Sequence, residues 1–208
     1  MSIKILSVSD YLVPFIYSPN LRQRFPSIEF VVSCGDLPYY YLDYIISVLD
    51  VPLFYVRGNH DQDTRPDDRH TKFSPDGGTN LHKRVICYHH TLLAGIEGSI
   101  RYRYGPFMYT QTEMWVNVFN LVPSLFINKI RYGRYLDLFV THAPAWGIHN
   151  QTDFPHLGIK AFRWFVLVFK PTYHFYGHIH IYHPGDSGDT KLGDTCLVNS
   201  YGFRETNL

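Results

Sequence analysis

Five short apolar runs in this chain each end in residues able to bind a metal ion. Ile3–Val8 runs into Ser9-Asp10, Phe30–Val32 into Gly35-Asp36, and Leu53–Val56 into Gly58-Asn59-His60-Asp61. Leu136–Val140 runs into Thr141-His142, and Tyr173–Tyr176 into Gly177-His178-Ile179-His180. Carboxylate, amide and imidazole donors together suit Mn, Fe, Ni or Zn better than Ca or Mg, which prefer all-oxygen shells. Singly these signals are weak. An aspartate after a strand is more often a turn or cap residue, and a lone Thr-His says less still. The Gly-His-Ile-His string is stronger, because imidazoles at i and i+2 across a strand exit reach one small volume. Gly-Asn-His-Asp is the most specific string of all.

The elements that must position these groups are legible as well. Each run is strand-length and bounded by turn or polar residues, as buried strands are. Arg84–Tyr88 and Thr91–Ala94 are spaced as a hairpin, and Thr195–Asn199 reads as a late strand. Pro38 suits a first helical turn, after which Tyr41, Tyr44, Ile45, Val48 and Leu49 share one helical face. A helix is expected from Pro155 to Phe169, stopped by Pro171, and another from Thr110 to Ile130, broken or kinked at Pro123. Strands alternating with helices, plus a hairpin, indicate an α/β protein with mixed sheets. Ligands of open α/β sheets gather outside the carboxyl ends of the strands, so the five exits are expected to converge. Gly35, Gly58 and Gly177 permit the backbone conformations that sharp exits demand.

Composition narrows the classes. With 208 residues, 45% of them hydrophobic, the chain can bury a large core. A net charge of +1 argues against a protein built around nucleic-acid or membrane electrostatics, though it leaves room for a localised basic patch. The densest apolar stretch, Phe162 to Phe169, contains Arg163 and falls short of a membrane span. The beginning MSIKILSVSD lacks the pattern of a secretory leader, and Cys34, Cys87 and Cys196 form no Cys-x-x-Cys pair. A reduced, cytoplasmic protein is the expectation. The stretch from Asp61 to Lys83, rich in charge, proline and glycine, reads as a lid, a binding loop or a surface loop.

The ordered set Gly-Asp, Gly-Asn-His-Asp, a single His and Gly-His-x-His resembles the calcineurin-like metallophosphoesterase superfamily, from Asp10 to His180. The stretch beginning at His142 (HAPAWGIHNQTD), with Gly158, Pro171 and the Gly-His-Ile-His string, looks closest to class III cyclic nucleotide phosphodiesterases. The resemblance implies one domain over 1–208, a four-layer αββα sandwich of two mixed β-sheets flanked by helices, with a dinuclear centre at the strand ends. Carried over by motif, Asp36 bridges two metals. Asn59, His142 and His178 complete one site; Asp10 and His180 belong to the other. His60 stands over the substrate as acid or electrophile, oriented by Asp61. Elementary chemistry supports these roles: two cations ~3.5–4 Å apart stabilise the attacking and leaving oxygens of an in-line displacement, and a histidine donates a proton near neutral pH.

One position departs from the pattern. The family's Asp-x-His reads Asp10-Tyr11-Leu12 here, and Leu12 cannot ligate. Water can fill the vacancy, His149 or His183 can reach in, or only the second metal binds stably; a weakened first site filled at high Mn²⁺ is the expectation. Of the remaining residues, Arg57 is a candidate phosphate clamp, whereas Arg101 and Arg103 read as surface arginines. His82, His89 and His90 read as structural, and Cys34 as a small buried strand residue. Among Tyr39, Tyr40 and Tyr41, which can line a crevice, Tyr41 reads as core. The function expected is a metal-dependent phosphoesterase acting on small phosphodiesters or phosphomonoesters, with Mn favoured and no membrane or nucleic-acid partner. A metal-binding scaffold that has lost catalysis is the alternative, and a DNA nuclease finds little support in so neutral a chain.

Overall fold

Residues 3–61, 74–149, 154–181 and 189–208 are described by a computed structural model. In chain order its strands are β1 (Lys4–Ser9), β2 (Ile28–Ser33), β3 (Leu53–Tyr55), β4 (Gly78–Asn80), β5 (Arg84–Tyr88), β6 (Thr91–Ile96) and β7 (Ser99–Ile100), then β8 (Met108–Tyr109), β9 (Leu138–Thr141), β10 (Tyr173–Tyr176), β11 (Asp189–Leu192), β12 (Thr195–Asn199) and β13 (Gly202–Asn207). The helices are α1 (Leu21–Arg24), α2 (Tyr39–Leu49), α3 (Gln111–Phe119), α4 (Val122–Tyr132) and α5 (Lys160–Phe169).

The first sheet has the order β13-β1-β2-β3-β4, and the second β11-β12-β10-β9-β6-β5. In the first, β1 to β4 run parallel and β13 lies antiparallel against β1. In the second, β12, β10, β9 and β6 are parallel, with antiparallel strands β11 and β5 at the edges. Parallel pairing is what sends successive strand exits to the same end of each sheet.

Each central strand is buried on both faces, which is why its sequence is a continuous apolar run rather than an alternating one. Ile5, Phe30 and Phe54 of the first sheet meet Leu93, Leu138 and Phe175 of the second in the layer between them. On the far side of the first sheet, Leu6, Val8 and Val31 pack against Leu21, Tyr41 and Ile45 of α1 and α2. Beyond the second, Leu92, Ala94 and Phe139 pack against Met114, Val118, Leu125 and Phe165 of α3, α4 and α5. Helices, sheet, sheet and helices therefore stack in four layers, the αββα sandwich expected. Each fully buried Leu, Ile or Phe adds roughly 1.5–3 kcal/mol of burial energy to this stack.

One expected helix is broken where its proline implied, and another begins later than expected. The segment 110–130 is two helices, because Pro123 occupies the first turn of α4, where its missing N–H costs nothing; α3 begins at a Thr110–Glu113 capping box. The helix expected from Pro155 starts only at Lys160. Ahead of it lies a 3₁₀ turn, Phe154–His156, and a close approach at Gly158, where a Cβ would sit 2.7 Å from the Ala145 carbonyl oxygen. Part of the expected loop from Asp61 to Lys83 is ordered: β4 is the edge strand of the first sheet, and His82 bridges to Gly95. The rest of that stretch, 62–73, lies outside the described residues.

Candidate functional site

Both sheets present the ends of their parallel strands along one edge, and the residues there cross-brace them. The His142 Nδ1–H donates to the Cys34 carbonyl at 2.8 Å, tying the exit of β9 to that of β2. The Gly177 amide donates to the His142 carbonyl at 2.9 Å. The His178 amide donates to Asp10 Oδ2 at 2.9 Å, tying β10 to β1.

The exits bend sharply, and the residues that take the left-handed conformation are largely the metal-competent ones: Asp10 (φ 62°), Asp36 (φ 56°) and His178 (φ 66°). Such backbone strain costs on the order of 1 kcal/mol per residue and concentrates at functional sites. Of the three glycines expected to permit these turns, only Gly35 has positive φ. Gly58 and Gly177 are required for closeness instead. A Cβ on Gly58 would lie 2.0 Å from Asp36 Oδ1, and one on Gly177 would lie 2.3 Å from Asp10 Oδ2.

Asp36, His142 and His178 each offer a ligand atom, and these atoms all lie within 4.8 Å of one another. His142 Nε2 is 3.0 Å from Asn59 Oδ1 and 3.3 Å from Asp36 Oδ2. Because Nδ1 carries the proton given to Cys34, a neutral His142 aims a lone pair at two oxygen acceptors. That arrangement is satisfied only by a positive charge at its centre, either a proton or a metal cation. The donor set therefore fits a divalent ion. His178 is similarly oriented, its Nε2–H donating to the Pro155 carbonyl at 3.0 Å, which leaves Nδ1 unprotonated. Asp10 Oδ1 lies 3.9 Å from His180 Nε2; the Asp10 carboxylate is buried and the His180 ring is largely exposed.

Electrostatics register the same demand for positive charge. Burial opposes ionisation of both Asp36 and His142, yet their mutual attraction and hydrogen bonding win. Asp36 is held down to about 2, and His142 is pushed up to about 9. Burial raises Asp10, and the neighbouring Asp36 charge adds to the effect. Burial and the adjacent His142 charge lower His178 to about 3. The ionised Asp36 and the neutral His178 thus face the same point as His142, where a cation is favoured.

The His60 amide donates to Asp36 Oδ1 at 2.8 Å, and the residue is exposed. Asp61 is buried and accepts the Gly58 N–H at 2.8 Å, so it closes the turn that presents His60. Burial, followed by the Asp36 charge, raises Asp61 to about 7. All six expected ligands and the His60–Asp61 pair thus lie along the same edge.

Leu12, in place of the family's histidine, packs partly buried against the outer core of the first sheet. His149 is committed elsewhere: Nδ1 bonds the Tyr176 hydroxyl, and Nε2 meets Thr190 Oγ1 at 2.7 Å. His183 lies outside the described residues. Arg101 is taken up by Glu113 at 2.9 Å, and Arg103 stands over the Tyr102 ring. Tyr41 and Cys34 are fully buried, as read, and burial pushes the Cys34 thiol up.

Sequence reading passed over four neighbours. The Asn59 amide donates to the Tyr102 hydroxyl at 3.4 Å. The His156 ring lies 5.1 Å from that of His178, and the Tyr201 ring 4.9 Å from that of His180. Glu97 is buried beside Arg57 (4.0 Å), the Tyr109 hydroxyl (2.9 Å) and His82 (3.4 Å). None lies in a motif, and only tertiary packing brings them in. His82 is accordingly structural, as expected, its Nδ1 accepting the Glu97 N–H at 3.2 Å.

None of the curated proteins matches the sequence. Among solved structures, a Thermus thermophilus protein superposes with a TM-score of 0.62 at 14% identity, covering 100% of this chain and 99% of its own. The phosphopantetheinyl hydrolase of Mycobacterium tuberculosis gives 0.59 at 12% identity, over 96% and 89%. A Plasmodium protein described as the anchor in the inner membrane complex gives 0.50 at 14%, over 95% and 71%. At such identities these likenesses establish the fold. The sequence itself matches the calcineurin-like phosphoesterase profile over residues 14–182, a range that holds Asp36, the Gly-Asn-His-Asp loop, His142 and the Gly-His-Ile-His string but begins after Asp10. Family membership implies divalent metal ions, and the chain belongs to the calcineurin-like phosphoesterases.

Proposed function

We propose that this phosphoesterase hydrolyses small phosphodiesters or phosphomonoesters, such as cyclic nucleotides or aryl phosphates, at a dinuclear centre. Asp36, Asn59, His142 and His178 would hold one ion, and Asp10 and His180 would hold the other together with Asp36. The observation that carries this reading is the convergence of Asp36, His142 and His178 within 4.8 Å, around a point that His142 alone cannot satisfy while neutral. Divalent ions held there supply Lewis acidity toward phosphoryl oxygens and lower the pKa of water toward neutrality.

The chain's own groups do the rest. His60 is exposed and its backbone is bonded to Asp36, so its imidazole is the group that would protonate the leaving oxygen. Asp61 keeps that loop closed from beneath. The Cys34 and Pro155 carbonyls hold the two ligand rings in the tautomers that a cation needs.

Mn²⁺ fits the mixed donors, and with Leu12 contributing nothing and His149 committed elsewhere, the Asp10–His180 site is the weaker of the two. Cys34, Cys87 and Cys196 are all unpaired, which supports a reducing, cytoplasmic setting. Among the described residues no helix is long and apolar enough to cross a membrane.

Turnover of a panel of phosphomonoesters and phosphodiesters with Mn²⁺, Ni²⁺, Fe²⁺ and Zn²⁺ tests the proposal. Activity should require added metal and be greatest with a transition ion. A protein that binds metal yet turns nothing over in excess Mn²⁺ belongs instead to the scaffold reading, which Leu12 favours and for which the Plasmodium anchor is a fold precedent.

A further inference from the structure

We propose that the outer face of α3, α4 and α5 docks onto an anionic lipid bilayer. Val116, Phe119, Phe126, Ile127 and Ile130 are 58%, 52%, 52%, 61% and 88% exposed. Leu167 and Val168 on α5 are each 44% exposed. Among the described residues, every exposed Val, Leu and Ile lies on these three helices. Aromatic rings connect the three helices beneath this face: Phe119 meets Trp164 at 5.5 Å, Trp164 meets the buried Phe169 at 5.7 Å, and Phe169 meets Phe126 at 6.5 Å. An apolar surface gathered on one face in this way marks an interaction site rather than random exposure.

Charge identifies the occupant. Neither 114–136 nor 154–170 contains a single Asp or Glu, yet they carry Lys129, Arg131, Arg134, Lys160, Arg163 and Lys170. Acids at the margins are engaged locally: Asp137 with Arg134 at 2.7 Å, Asp194 with Lys170 at 3.0 Å, and Glu113 with Arg101 at 2.9 Å. Lys129 and Arg131 remain exposed between Ile127, Ile130 and Tyr132. In a chain whose net charge is only +1, this concentrates basic character on one layer. Aliphatic tips, indole and phenol rings (Trp115, Trp164, Tyr132) and cations that outnumber their acids are the chemistry of a surface that dips into the interface of a negatively charged leaflet. A second copy of the chain fits poorly, because a two-fold contact would bring the same basic patch of both copies together. The localised basic patch left open by the net charge is thus assembled by the fold from two separate segments.

Sedimentation of the full chain with phosphatidylcholine vesicles, with and without a third of phosphatidylglycerol, tests this independently of catalysis. Binding should require the anionic lipid. Lys129→Ala with Arg131→Ala should lower the partition coefficient about 25-fold, since each basic residue near the surface contributes roughly a factor of five. Ile127→Glu with Ile130→Glu should abolish binding while leaving the thermal midpoint and metal content unchanged, both positions being exposed. Equal partition into neutral vesicles, no binding at all, or binding indifferent to the isoleucine pair would overturn the proposal. So would sedimentation-velocity analysis showing a dimer that the isoleucine variant dissociates, because the face would then join two copies.

Discussion

His142 and Cys34 belong to different sheets, and the 2.8 Å hydrogen bond from the imidazole Nδ1 to the Cys34 carbonyl sets which way the free ring nitrogen points. The bond costs no side chain on the Cys34 side, so the thiol is irrelevant to it and only the course of the backbone matters. Partners of this kind typically govern metal affinity by about 10- to 100-fold. Their quality depends on how closely the exits of β2, β3 and β9 approach one another.

Gly58 measures that closeness. Gly58→Ala places a methyl group 2.0 Å from Asp36 Oδ1, against a carboxylate already fixed by the His60 amide. Metal affinity should fall by at least tenfold, read by isothermal titration with Mn²⁺. Gly133→Ala serves as a control: its φ of +74° costs about 1 kcal/mol of stability, but nothing lies within 4 Å of the added methyl, so metal binding should stay as in the wild type.

His60→Ala should leave metal stoichiometry intact, because the bond to Asp36 comes from the backbone amide, which the substitution keeps. Turnover should drop by about 10²–10⁴, the usual worth of a positioned general acid. Steady-state kinetics beside elemental analysis of the same preparation would check both halves. Wild-type turnover in the variant would remove His60 from the mechanism.

Leu12→His restores the histidine that the family places after the first aspartate. With Asp10 and His180 already present, the weaker site should tighten by about 10- to 100-fold, and the Mn²⁺ concentration needed for half-maximal activity should fall accordingly. Two equally tight sites in the wild-type protein, found by metal titration, would contradict the assignment of a weak first site.

His174 predicts how stability responds to acid. It is fully buried, its Nε2–H donates to Thr141 Oγ1 at 2.8 Å, and that hydroxyl donates onward to the Ala143 carbonyl at 2.7 Å. Burial lowers its pKa to about 3 from an ordinary 6.5. Below 6.5 the unfolded chain takes up a proton that the folded chain refuses, so stability is intact above that pH and declines as pH falls toward 3. In urea titrations between pH 6 and pH 4.5, wild type should lose roughly 1 kcal/mol per pH unit more than His174→Phe. Parallel slopes would show that His174 is not the group responsible.

Much of the fold was legible because the central strands are buried on both faces and therefore read as unbroken apolar runs. Of the edge strands, β5 was legible as half of a hairpin, whereas β4, β11 and β13 were not. Gly202–Asn207 carries Arg204 and Glu205 and alternates in exposure, so it resembles a polar tail until β1 is seen to pair with it. The helix expected from Pro155 failed at its start because the Pro155 carbonyl serves His178 and Gly158 lies against Ala145.

Sequence alone determined which residue types stand at the strand exits, and in what order, since donor chemistry is a property of side chains. It also put Leu12 where the resemblance leads one to expect a histidine. What only the tertiary structure decided is which atoms face one another: that Cys34 and Pro155 orient two histidines by their carbonyls, that Tyr102 and His156 border the centre, and that His149 is spent elsewhere. Backbone carbonyls carry no residue signature, and contacts between distant segments exist only once parallel pairing has brought both sheets to the same edge.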